Sequence, residues 1–128
     1  MTVDHIFDPI QERTTRKLSF TLKDEDGVVI PGAALTQLTF KLFARPAVGN
    51  PTPGIYINSR DGSTDLKANV DSNGVFTLEL TPADNQVMDA TLAKERHVLI
   101  FRWKYGGGGT KEGMVVYELP ILNQSNVP

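Results

Sequence analysis

The sequence predicts an all-β sandwich, and three observations carry that expectation. Apolar residues fall on every second position in several separate segments. Dipeptides of the Asp-Gly and Asn-Gly type punctuate those segments. Helix signals gather in one short stretch only. Successive side chains of a strand point to opposite faces, so alternation marks a strand with one face in a core.

The first strand is expected over residues 17–23, with Leu18, Phe20 and Leu22 turned inward between Lys17, Ser19, Thr21 and Lys23. Residues 37–42 repeat the pattern with Leu38, Phe40 and Leu42, and residues 75–80 with Phe76, Leu78 and Leu80. Two longer strands follow, 96–105 and 113–122. Residues 98–103 are apolar on both faces apart from Arg102, which predicts a central strand covered on both sides. Asp26-Gly27, Asp61-Gly62 and Asn73-Gly74 tolerate positive φ and predict tight turns. Residues 55–57 and 66–70 read as shorter strands on either side of the second of these. The stretch PAVGNPTPG, residues 46–54, reads as an irregular loop.

The segment LTPADNQVMDATLA breaks the β rhythm. Thr81 is a candidate N-cap, Pro82 suits the first helical position, and Asp84 lies in the first turn. A short helix is expected over residues 82–93, presenting Val87, Met88 and Leu92 to the sheets. The chain then divides into an extended N-terminal arm (1–15), a sandwich (16–123) and a flexible tail (124–128).

Composition narrows the function classes. With 128 residues, one domain with its own core is expected. A net charge of −2 offers no basic footprint for nucleic acid. The absence of cysteine removes disulfides, thiolate metal sites and cysteine nucleophiles. Val98–Leu99–Ile100–Phe101 is the longest purely aliphatic or aromatic run, far short of a membrane span, and MTVDHIFDPI lacks the basic and apolar regions of a signal peptide. A protein made in the cytoplasm that stays soluble is the expectation.

The chemical constellations are weak. Four glycines, Gly106, Gly107, Gly108 and Gly109, precede Thr110-Lys111, but a phosphate loop needs Lys before Ser or Thr and a helix after it. Here a strand follows, so the run reads as a hairpin tip. Asp24-Glu25-Asp26 and Asp71-Ser72-Asn73 resemble fragments of a calcium loop. Neither continues with glycine at the sixth position or Glu at the twelfth, and both read as solvated turns. His5 and His97 have no metal-ligand spacing. No Gly-x-Ser-x-Gly elbow is present. No cofactor, no metal and no enzymatic activity are expected. Phe101, Trp103, Tyr105 and Tyr117 cluster on the last two strands, either as core or as an exposed stacking platform.

The order of elements has a likeness. FTLKDEDGVVIPGAAL leads to a second strand, then NGVFTLEL, TPAD, a long strand, a glycine turn and VVYELPILN. Within this, residues 74–84 read G-x-F-x-L-x-L-T-x-A-D. Over residues 16–123 the chain resembles the immunoglobulin-like domains of tailed-phage structural proteins, the N-terminal domains of baseplate upper proteins being the nearest. The resemblance implies an immunoglobulin-like antiparallel β-sandwich and a non-enzymatic building block of a virion, made in the host cytoplasm. Its partners would be other virion proteins and copies of itself in the head, neck or tail, as adaptor or baseplate component, with no nucleic acid and no membrane. Under that reading Val3, Ile6, Phe7 and Ile10 of the arm either cross to a neighbouring subunit or cover the chain's own sheet edge. The loop 46–54 and the tip Gly106–Gly109 would be adaptable contacts. The alternatives are a capsid decoration protein, or a carbohydrate-binding module using the Trp103 and Tyr105 region.

Overall fold

The alternating segments pair as their period of two requires. The computed structural model describes residues 3–45, 56–88 and 92–123. In chain order its strands are β1 His5–Ile6, β2 Ile10–Gln11, β3 Arg16–Thr21, β4 Leu35–Arg45, β5 Tyr56–Asp61, β6 Val75–Leu80, β7 Lys94–Tyr105 and β8 Lys111–Leu122. The larger sheet runs β1-β8-β7-β4-β5, with β2 also on β8, and the smaller pairs β3 with β6. The two make a sandwich-like β fold.

Phe101 lies at the centre of the core. Its ring stacks on Phe40 at 4.6 Å and meets Phe20 and Phe76 at 5.1 and 5.3 Å. Around it, Leu18, Leu22, Leu78 and Leu80 of the smaller-sheet side face Leu38, Leu42, Leu99 and Leu119 of the larger sheet, all buried. Each such side chain contributes about 1.5–3 kcal/mol on leaving water. The expected central strand is β7, flanked by β4 and β8. Its other face also carries buried residues, since Val98 and Ile100 form a second cluster with Phe43 and Val116.

Three expectations are corrected. Residues 82–88 form no α-helix; they make one turn and then diverge. In a helix the Met88 N–H would donate to the Asp84 carbonyl four residues back, but it donates to the buried Glu95 carboxylate at 2.9 and 3.1 Å. Tertiary contacts thus outcompete local helix signals; residues 89–91 lie outside the described residues. Residues 66–70 are not a strand but a 3-10 turn, Lys67–Asn69, with Val70 bridging only to Phe76. Asp65 Oδ1 accepts the Leu38 and Lys67 N–H groups, taking the place of a strand's carbonyls. The larger sheet is mixed rather than antiparallel, because β1 and β2 run parallel to β8. The loop 46–54 and the tail 124–128 also lie outside the described residues.

The acidic turns behave as turns. Asp24 Oδ1 accepts the Asp26 and Val28 N–H groups, and Asp71 Oδ1 those of Asn73 and Val75. Their carboxylates mimic a backbone acceptor and set the chain reversal.

One close approach decides a glycine. Gly113 lies opposite Trp103, and a Cβ there would sit 2.3 Å from the indole Nε1. The ring lies flat over backbone where any side chain would be. Gly113→Ala is expected to force the indole out of its place and cost about 1–3 kcal/mol, read as a lower midpoint in denaturant unfolding with altered tryptophan fluorescence.

Candidate interaction site

The N-terminal arm is built onto the free edge of β8. From residue 111 to 122, β8 pairs with β7 without a register shift, so alternate residues turn their backbone groups away from β7. Those are the even-numbered ones. The carbonyls of Val116, Glu118 and Leu122 accept the N–H groups of Asp4, Phe7 and Glu12 at 2.8, 2.8 and 3.0 Å. Asp4 also accepts the Val116 N–H on its carboxylate, at 2.8 Å, which closes the start of the pairing. Pro120 is next in the even series and has no N–H to offer. Beside it the arm leaves the ladder between β1 and β2, where it carries Pro9.

The four apolar arm residues divide. Val3 packs on the cluster of Phe43, Val98, Ile100 and Val116. Phe7 and Ile10 pack on the main core. The Phe7 ring lies 4.9 Å from Tyr117 and 5.1 Å from His5, with the Arg16 guanidinium 5.2 Å above it. Ile6 is 60% exposed. Within one chain, then, the arm lies along its own sheet edge.

A polar latch fixes where the arm ends. Arg13 takes a left-handed conformation, φ 56°, and donates its N–H to the Asn85 carbonyl at 2.9 Å. The buried Asn85 amide donates to the Thr14 carbonyl at 2.7 Å. Next to it, the fully buried Asp84 organises the TPAD turn. Its oxygens accept from Arg60 Nε and Nη2, Asn58 Nδ2, and the Thr81 N–H and hydroxyl. Burial raises its pKa, but the Arg60, Asn58 and Thr81 donors outweigh burial and hold it below the usual carboxylate value. Thr81 therefore donates to Asp84, the reverse of the expected capping role. The same network binds the side chain of Asn58, which with Ser59 takes left-handed backbone at the β5 bulge.

The glycine tip stands at the other end of β8. Gly106, Gly108 and Gly109 have positive φ, and the tip leans toward β4, where a Cβ on Gly109 would come 3.3 Å from Thr36. Its base is held by Glu25, which accepts the Tyr105 hydroxyl and the Lys111 ammonium, each at 2.6 Å. Those two hydrogen bonds lower the Glu25 pKa to about 2. The arm runs from Val116 toward Leu122, away from the tip, so the two sets of predicted contact residues are not brought together.

Phe101, Trp103 and Tyr105 are buried, and Tyr117 is half-buried beside Phe7, so none of these rings forms an open stacking platform. His97 is buried with its Nε2 2.6 Å from Glu95 Oε2. Among the described residues no three His, Cys, Asp or Glu side chains converge as metal ligands.

These features define a class, a sandwich-like β fold whose larger sheet is extended by its own N-terminal arm. Family models, curated proteins and solved structures were all searched, and none matches the chain.

Asp84→Ala is expected to cost about 3 kcal/mol in denaturant unfolding, because it strands the Arg60 guanidinium and the Thr81 N–H. Asp84 and Glu25 both have depressed pKa values, so their stabilisation is present above the unfolded carboxylate range and lost as pH falls through the folded values. An NMR titration is expected to find the Glu25 carboxyl titrating near pH 2, and a midpoint in the ordinary carboxylate range would contradict its pairing with Lys111 and Tyr105.

Proposed function

We propose that this chain is a non-enzymatic structural protein of a tailed-phage virion, an immunoglobulin-like sandwich that assembles through subunit contacts in the head, neck or tail. One observation carries the reading. The arm is a separable strand, added in parallel to an edge of a sheet that β4, β7 and β8 already form without it. A segment held by edge hydrogen bonds and a few apolar side chains exchanges a partner edge for its own at little net cost, since the same contacts form in either place. The latch at Arg13, Thr14 and Asn85 is the natural hinge for that exchange. The order of elements from FTLKDEDG to VVYELPILN supports the same family of building blocks. Its partners are other virion proteins and further copies of this chain. Adaptor and baseplate component are the preferred positions; capsid decoration uses the same sandwich on the head lattice.

The test is the copy number of the chain in purified particles, by quantitative mass spectrometry against the major capsid protein. A small multiple of three or six is expected, and hundreds of copies would move the protein to the head surface. Absence from particles would overturn the reading. Deleting residues 2–12 is expected to abolish incorporation while the remaining sandwich still folds. Incorporation that persists with a destabilised monomer would assign the arm to its own edge alone.

A further inference from the structure

Among the described residues the arm covers only part of the β8 edge. The bond nearest the start of β8 is to Val116, yet β8 begins at Lys111. By the same alternation that points Val116, Glu118 and Leu122 at the arm, the backbone groups of Glu112 and Met114 also point away from β7. Among the described residues none donates to or accepts from them on that side. Met114 is 52% exposed, and the glycine tip leans the other way, toward Thr36 of β4. An open, extended edge with an exposed apolar side chain is a template for another strand.

We propose that this stretch, residues 111–115, is a self-association edge, occupied by the same stretch of a second copy in antiparallel pairing about a two-fold axis at Gly113. It rests on the assembly reading above, and it names a second contact distinct from the arm. The register follows from the sequence. Only groups on Glu112 and Met114 are available, so each Glu112 must pair with the second copy's Met114. Gly113 then faces its own symmetry mate at the non-hydrogen-bonded position, where strands approach to about 4.5 Å, and it carries no side chain on either side. Asp4 limits the pairing, because it already occupies both backbone groups of Val116.

Charge favours the same arrangement. Across β7 and β8, Arg102 stands opposite Met114 and Lys104 opposite Glu112, all on the outer face. Pairing continues these rows into the second copy. Glu112 of each copy then lies between its own Lys104 and the Met114 and Arg102 of the other. Arg102 makes no hydrogen bond or ion pair among the described residues, so its guanidinium is available to that carboxylate. A general acidic partner fits less well, because Glu112 would repel it at the edge itself.

Sedimentation velocity of the full chain over a concentration series tests this. A reversible monomer–dimer equilibrium is expected. Met114→Pro removes an N–H that β7 does not use, as Pro120 does on the same strand, and is expected to leave a folded monomer at every concentration. Glu112→Arg is expected to weaken the dimer at least tenfold, and Arg102→Glu combined with Glu112→Arg to recover most of the loss. The charge pair decides the matter if the proline variant does not fold. A native chain that stays monomeric throughout, or a dimer indifferent to the Glu112 and Arg102 changes, overturns the proposal. A chain found in particles but monomeric in solution would remove this edge contact and leave the assembly reading standing; a dimer absent from particles would do the reverse.

Discussion

The free edge of β8 is the constraint that decides how the N-terminal arm and the margin of the larger sheet are arranged. A strand at the margin of a sheet presents a row of donors and acceptors that must be paired, solvated or blocked. Here one edge is treated in three ways along its length. From Val116 to Leu122 the N-terminal arm pairs with it in parallel. At Pro120 the donor is absent, and the arm steps away. From Lys111 to Met114 no partner strand covers the edge among the described residues. The opposite margin, β5, is blunted differently, by the bulge at Asn58 and Ser59.

The edge can be treated this way because the interior does not depend on it. β7 is buried over most of its length and holds β4 and β8 in long antiparallel ladders. The aromatic cluster on Phe101 joins that sheet to β3 and β6. Three of the buried polar side chains hold connections in place. Asp84 ties the TPAD turn to β5, Asn85 ties it to the end of the arm, and Glu95 ties the following segment to β7. These buried anchors lie on the side of the sandwich where the arm ends, whereas the side-chain contacts at the base of the tip are made to the exposed Glu25.

The sequence made the strands legible and the connections much less so. Alternation in residues 17–23, 37–42 and 75–80 located β3, β4 and β6, and the two-sided apolar run 98–103 located the central strand, because burial of side chains depends on a period that can be read directly. The helix expected over 82–93 was misread for a physical reason. Thr81, Pro82 and Asp84 are good local signals, but the carboxylates that decide the segment, on Asp84 and Glu95, bind groups that are distant in sequence or compete with helical carbonyls. Asp65 did the same to residues 66–70. The arm was recognised as extended, with Val3, Phe7 and Ile10 packing where apolar residues would be useful. Its parallel register was not legible, although Pro120 within an otherwise regular strand was a signal that this strand's outer N–H groups were not part of a continuous ladder.

Backbone amide hydrogen exchange in dilute solution tests the division of the β8 edge most directly. The Phe7 and Glu12 amides are expected to be protected and to open together at a free energy below global unfolding. Glu112 and Met114 are expected to exchange fast, while Gly113 and Val115, whose amides face β7, exchange slowly. Protection at Glu112 and Met114 equal to that of Gly113, or free exchange at Phe7 and Glu12, would overturn this division of the edge.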